Sequence, residues 1–205
     1  MKKRNLIIWD VDDTLFYWTK HYVEWIFTKN LHRIDTHNSS TWFKKEFIVE
    51  FNTNKERFTN RDKTDLFAVF ETSLNRCQNI ILSACGKHSH SYLVEMVAPY
   101  VSEGRVFTVD CATEKQSIIS SYKELGLDVL VVDDKVETAE YCRNNNIKVA
   151  CNLPVYELVE TVNGFVSPKR KRAGKELLSA IGLQNGRFIF TRKCASRSSS
   201  EGISF

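Results

Sequence analysis

Residues 6–15 read LIIWDVDDTL, so four large apolar residues lead directly into a run rich in aspartate. A short, continuous apolar run is typical of a strand that is covered on both faces of a parallel sheet. Asp10, Asp12 and Asp13 would then follow the carboxyl end of that strand, where open parallel sheets bind their ligands. This stretch predicts both the first strand of an α/β fold and one half of a site.

The rest of the sheet is predicted from apolar runs further along the chain. Four more short runs occur, at Ile80–Leu82, Val106–Val109, Val129–Val132 and Ile147–Ala150. Helical patterns follow these runs in turn, over Ser91–Val97, Thr113–Leu125, Val136–Arg143 and Val155–Val162. Thr113 and Gln116 have the spacing of a capping box at the start of the second helix. This alternation predicts an α/β fold with a doubly wound, parallel, five-stranded, Rossmann-like sheet.

The gap between the first and second strands predicts an insertion, because a crossover needs only about a dozen residues. Residues 16–70 hold 13 of the 24 aromatic residues in the chain. Trp18, Tyr22 and Trp25 recur at the spacing of one helix face. We predict a small helical cap over 16–75, inserted into a core formed by 1–15 and 76–166. The alternative is an aromatic-rich packing unit with no role at the site.

A second acidic pair occupies the end of another predicted strand. Asp133 and Asp134 directly follow Val129–Val132. Two acidic clusters at one edge of the sheet repel each other unless a cation lies between them, and such oxygen-rich clusters suit Mg²⁺. Capping of strand ends and helix starts is the structural alternative, but five carboxylates exceed what capping needs. The sequence therefore predicts a Mg²⁺ site.

Two further residues complete the candidate site. Ser83 ends the second strand, and its hydroxyl could donate to an anionic oxygen. Lys115 lies near the start of the helix after the third strand, where its charge could neutralise a phosphate and a neighbouring aspartate. Lys123 lies on the same helix and is the alternative, although the helix-start position favours Lys115.

These four motifs, in this order, resemble those of the haloacid dehalogenase superfamily over roughly residues 5–152. Asp10–Thr14 matches the D-x-D-x-T motif, Ser83 the second motif, Lys115 the third and Asp133–Asp134 the acidic fourth. The resemblance implies Asp10 as a nucleophile that forms an aspartyl-phosphate and Asp12 as general acid and base. It also implies Mg²⁺ held by Asp10, the Asp12 carbonyl, Asp133 and Asp134, with Asp134 favoured over Asp133 as the direct ligand.

An aspartate at position 12 is what phosphatases of this family have, so the resemblance implies a Mg²⁺-dependent phosphatase. Its expected substrate is a small phosphomonoester, either a metabolite or a nucleotide. Two alternatives stay open: a phosphatase acting on nucleic-acid ends or a phosphoprotein, and a non-catalytic binding protein with the same fold. The intact motifs argue against the last one.

The C-terminal segment, residues 167–205, differs from the rest of the chain in charge. Residues 168–205 contain nine Lys and Arg against two acidic residues, whereas 1–167 contain 20 against 23. The basic run Lys169, Arg170, Lys171, Arg172 could bind nucleic acid or act as a nuclear-import signal, and a solvated basic surface is the alternative. We expect the Ser-rich end, 195–204, to be disordered.

The expected location is cytoplasmic. No apolar run approaches the roughly 20 residues that a membrane-spanning helix needs. The basic N-terminus is followed within a few residues by Asp10 and Asp12, which does not fit a secretory signal. We therefore expect no association with a membrane.

Overall fold

The computed structural model describes residues 4–28 and 63–166, together with the short strands at 183–184 and 187–188. Its centre is a five-stranded sheet in the order β3-β2-β1-β4-β5, and every neighbouring pair is parallel. The five strands are β1 Asn5–Trp9, β2 Gln78–Ser83, β3 Val106–Thr108, β4 Asp128–Asp133 and β5 Lys148–Cys151. The prediction of an α/β fold with this sheet is confirmed.

Six helices accompany the sheet in the described part of the chain. Their bounds are α1 Trp18–Thr28, α2 Phe67–Leu74, α3 His90–Val97, α4 Ala112–Glu124, α5 Val136–Asn144 and α6 Val155–Val166. Each of the four helical patterns after β2 forms a helix at the predicted place, and α6 continues four residues beyond its predicted end. Another strand pair, β6 Leu183–Gln184 and β7 Arg187–Phe188, is antiparallel.

The two faces of the sheet carry two separate hydrophobic clusters, which is the doubly wound arrangement. Alternate residues of β1 point to opposite faces, as strand geometry requires. Ile7 and Trp9 pack with the aromatic residues of α1 and α2. Leu6 and Ile8 pack in a smaller, aliphatic cluster with Ile119 of α4. The strands are therefore covered on both sides, as their unbroken apolar runs indicate.

The capping box predicted at Thr113 and Gln116 is wrong. Helix α4 begins at Ala112, its N-cap is Cys111 in an extended conformation, and no side chain caps it. Instead, Glu114 Oε2 accepts a hydrogen bond from the backbone N–H of Asp110 at 3.2 Å. This contact joins the chain leaving β3 to the first turn of the helix.

Only the two ends of the proposed cap, 16–75, lie within the described residues. Trp18, Tyr22 and Trp25 on α1 are buried in the same cluster as β1, and so are Phe67 and Phe70 on α2. The cap itself stays a prediction, since 29–62 lie outside the described residues. The basic run at 169–172 and the Ser-rich end also lie outside them. Among the helices described, none is both long and apolar enough to cross a membrane.

Candidate active site

The ends of three adjacent strands bring the predicted site residues together. Asp10 follows β1, Ser83 ends β2 and Asp133 ends β4, and these strands are neighbours in the sheet. The backbone N–H of Asp10 donates to the carbonyl of Val132 at 2.9 Å, so the pairing of β1 with β4 continues up to the first aspartate. The sheet therefore delivers both acidic motifs to one edge.

Lys115 lies between the two acidic motifs. Its Nζ atom is 2.5 Å from Asp10 Oδ1 and 2.8 Å from Asp133 Oδ2. The side chains of all three residues are almost fully buried, and Lys115 reaches them from the first turns of α4. Lys123, the alternative in the sequence, instead donates to the backbone carbonyls of Asn145 and Asn146. The structure thus places Lys115, and not Lys123, in the acidic cluster.

Burial and ion pairing shift the pKa of Lys115 in opposite directions. Desolvation by itself lowers the pKa of Lys115, but the charges of Asp10 and Asp133 outweigh it and raise the pKa above its usual value. The pKa of Asp10 is raised by burial, against which the charge of Lys115 acts. Lys115 is therefore a permanent cation, which holds a group of carboxylates that would otherwise repel one another.

Asp12 and Ser83 form a second pair beside this cluster. The Ser83 hydroxyl donates to Asp12 Oδ2 at 3.1 Å, and the Cys85 N–H donates to the same hydroxyl oxygen at 3.2 Å. The other carboxyl oxygen of Asp12 is buried and has no hydrogen-bond partner among the described residues. Burial raises the pKa of Asp12 to about 7, although Lys115 and the Ser83 hydrogen bond act to lower it. Asp12 can therefore hold or release a proton near neutral pH.

Asp10, Asp133 and Asp134 form a group that could hold a metal ion. One carboxylate oxygen from each lies within 4.8 Å of the others. Within 4–28 and 63–166, Asp134 Oδ1 has no hydrogen-bond partner, while Asp134 Oδ2 lies 3.1 Å from Lys135 Nζ. The Asp12 carboxyl is not part of this group, and the resemblance gives Asp12 a role through its backbone carbonyl instead.

Three residues that the sequence analysis did not single out as site residues support this cluster. The backbone N–H of Lys135 donates to Asp133 Oδ1 at 2.8 Å, and Asn152 Nδ2 donates to the Asp134 carbonyl at 2.9 Å. Thr14 Oγ1 donates to Asp10 Oδ2 at 3.4 Å. Thr14 was visible as the last residue of the first motif. Asn152 follows the last strand of the sheet, and that position alone could have indicated it.

A charged contact joins the loops after β2 and β3. Lys87 Nζ lies 3.2 Å from Asp110 Oδ2 and 3.1 Å from Glu114 Oε2, and its backbone N–H donates to Asp110 Oδ1 at 2.9 Å. All three side chains are exposed, so the contact contributes little to stability. It does connect the loop that follows Ser83 with the helix turn that carries Lys115.

A cleft of about 430 Å³ opens beside the cluster. Asp133 and Asp134 form part of its wall, together with Asp13, Tyr17 and Asp65. The apolar residues that line it include Val132, Ala150, Leu153 and Leu158. This size is typical of a site for a small organic ligand.

Comparisons of this chain with models of protein families and with curated proteins found no match. Several solved structures are similar to it. An enzyme of the haloacid dehalogenase (HAD) family from Bacteroides thetaiotaomicron, in complex with magnesium and inorganic phosphate, has a TM-score of 0.42 and 11% identity, covering 72% of this chain and 93% of that one. A HAD-like family hydrolase from Porphyromonas gingivalis has a TM-score of 0.43 and 10% identity, covering 73% and 91%.

A third similar structure is a HAD-superfamily hydrolase from Ehrlichia chaffeensis, with a TM-score of 0.43 and 12% identity over 82% of this chain and 100% of that one. These proteins belong to the family whose motifs the sequence resembles. Similarity at this level is a likeness, and it decides neither the activity nor the substrate of this chain.

Proposed function

We propose that this chain is a Mg²⁺-dependent phosphatase of the haloacid dehalogenase type, which hydrolyses a small phosphomonoester through an aspartyl-phosphate. One observation carries the proposal: a buried lysine joins two strand-end aspartates, 2.5 Å from Asp10 and 2.8 Å from Asp133. A carboxylate that attacks a phosphate monoester must overcome charge repulsion, and a fixed cation beside it offsets that repulsion.

The donor set fits Mg²⁺. Mg²⁺ prefers hard oxygen ligands and is usually held by a few carboxylates together with waters. Asp10, Asp133 and Asp134 offer three such oxygens within 4.8 Å of one another, and no described residue forms a hydrogen bond with Asp134 Oδ1. When bound there, the ion would polarise the phosphoryl group and reduce the charge that the nucleophile meets.

The chain's own residues account for the bond changes. An Asp10 carboxylate oxygen forms a bond to phosphorus while the ester P–O bond breaks, and protonated Asp12 gives its proton to the departing alkoxide. Asp12, now a carboxylate, then takes a proton from water, whose oxygen attacks the acyl phosphate. Inorganic phosphate leaves and the Asp10 carboxylate is restored. Lys115 holds Asp10 in place throughout, and Ser83 orients Asp12.

Asp12 suits both halves of this cycle. Its pKa of about 7 means that it is substantially protonated at neutral pH, when a leaving group needs a proton, and it is readily deprotonated afterwards. An ordinary exposed aspartate would be fully ionised at neutral pH and could not protonate the leaving group.

The test is phosphate release from p-nitrophenyl phosphate with Mg²⁺. We expect Asp10→Asn to lower turnover by about 10³-fold or more, because it removes the nucleophile. Asp128→Asn is the matched control, since Asp128 lies at the opposite end of β4 and pairs with exposed Lys148. Trapping the intermediate by borohydride reduction should modify the peptide that contains Asp10. Full turnover in Asp10→Asn, or in excess chelator, would contradict the proposal.

A polymeric substrate guided by the basic run, Lys169 to Arg172, remains a prediction from the sequence, because those residues lie outside the described part of the chain. The described residues favour a small substrate instead. The cleft beside the cluster measures about 430 Å³, and the charged residues among its described lining are all aspartates, which disfavours a polyanion.

A further inference from the structure

The cleft beside the cluster is in contact with the proposed reaction centre. Asp134 lines the cleft, and one of its oxygens lies within 4.8 Å of an Asp10 oxygen. Asp10, Asp12, Ser83 and Lys115 are themselves each less than a tenth exposed. A substrate bound at Asp10 can therefore extend its remaining atoms into the cleft.

The charge of the cleft wall has one sign. Among the described residues that line the cleft there are four aspartates and no lysine or arginine. Asp133 pairs with Lys115, and Asp134 lies 3.1 Å from Lys135 Nζ. Among the ion pairs between described residues, none involves Asp13 or Asp65. Within the described part of the chain, these two are therefore the cleft carboxylates that no cation pairs.

The backbone fixes one of these carboxylates firmly. Asp13 adopts a left-handed conformation with a φ of 57°, and its Oδ1 accepts a hydrogen bond from the Thr19 N–H at 3.2 Å. Asp65 is exposed and lines the same cleft as Tyr17. The pKa of Tyr17 is raised by burial and further by the charges of Asp65 and Asp13, which is consistent with both carboxylates facing the same space.

We propose that this cleft receives the alcohol part of the substrate, and that Asp13 and Asp65 select uncharged or amine-bearing alcohols over alcohols with further anionic groups. The apolar lining residues contact the carbon skeleton, while the aspartates of the lining attract an ammonium group and repel a carboxylate or a second phosphate. This inference rests on the proposed phosphatase function. A nucleoside monophosphate is compatible with the cleft, whereas a nucleoside diphosphate or an oligonucleotide is disfavoured.

The experiment compares three esters that share a three-carbon chain: propyl phosphate, 3-aminopropyl phosphate and 3-phosphonooxypropanoate. Phosphate release is measured with saturating Mg²⁺ at low ionic strength, and kcat/KM of each charged ester is divided by that of propyl phosphate. We expect the wild type to prefer the amine and to disfavour the carboxylate. Asp65→Asn should raise the carboxylate ratio about threefold, and the double variant with Asp13→Asn about tenfold, which are the sizes of one and two partly screened charges.

The matched control is Glu103→Gln, which removes one exposed carboxylate just before β3, at the edge of the sheet opposite the site. It should leave both ratios at their wild-type values. Equal ratios in the wild type and the double variant, with phosphate still released, would overturn the inference alone. If the wild type releases phosphate neither from any of the three esters nor from p-nitrophenyl phosphate, the proposed function is overturned and the inference with it.

Discussion

Two acidic regions, the buried cluster and the cleft, lie side by side in this protein. They differ in how far their charges are compensated by cations. In the buried cluster, Asp10 and Asp133 share one lysine at 2.5 and 2.8 Å, and all three side chains are shielded from water. In the cleft wall, Asp65 is exposed, and it takes part in none of the ion pairs between described residues. Buried charges must be compensated within the fold, whereas exposed ones can remain available to act on a ligand.

The largest effect on stability is expected from breaking the buried cluster. Lys115→Met leaves two buried carboxylates without their cation, so we expect the free energy of unfolding to fall by about 3–5 kcal/mol. Lys148→Met is the matched control, because Lys148 makes an exposed ion pair with Asp128 and should cost about 1 kcal/mol or less. Urea unfolding of both variants measures the difference. Equal losses would mean that the cluster is not held by Lys115.

A smaller effect is expected at the point where the two regions meet. Asp134→Asn removes one charged oxygen ligand without touching the Lys115 pairs, so half-maximal turnover should need about tenfold more Mg²⁺, or more. Asp110→Asn is the control, since Asp110 lies at the same edge but pairs with Lys87. Asp133→Asn should instead lower stability, because Asp133 contacts both Lys115 and the Lys135 N–H. Unchanged Mg²⁺ dependence in Asp134→Asn would remove Asp134 from the metal site.

A third expected effect is a pH dependence of stability, which arises in the buried region. Burial raises the pKa of Asp12 from 3.8 to about 7, so the folded state binds this proton more tightly than the unfolded chain does. The associated stability is complete below pH 4 and is lost as the pH rises to 7, by up to about 1.4 kcal/mol per pH unit.

Unfolding of the metal-free protein, in chelator, between pH 4 and pH 8 measures this dependence. Asp12→Asn should reduce the slope of the unfolding free energy against pH. It should not abolish this slope, because burial also raises the pKa of Asp10. Asp128→Asn, at the opposite end of β4, should keep the wild-type slope. If the free energy of unfolding of Asp12→Asn changes with pH as steeply as that of the wild type, the assignment of the raised pKa to Asp12 is contradicted.

The strands, and which of them carry site residues at their ends, could be predicted from the sequence because each strand is covered on both faces. Continuous apolar runs such as Leu6–Trp9 and Val129–Val132 are typical of strands that are buried on both faces of a parallel sheet. The start of α4 could not be read in this way. The sequence has a capping box at Thr113, but the helix begins at Ala112, where Glu114 accepts a hydrogen bond from the Asp110 N–H. The local pattern did not show this contact with the loop that leaves β3.

By itself, the sequence determined which residues could do chemistry here and that they would lie at one sheet edge, since parallel strands point their carboxyl ends the same way. Only the tertiary structure decided between Lys115 and Lys123, because both lie on α4 and just one faces the aspartates. It also decided that Ser83 contacts Asp12, and that Asp13 and Asp65, 52 positions apart, line one cleft. Contacts between distant segments depend on how the elements pack, and no local pattern encodes them.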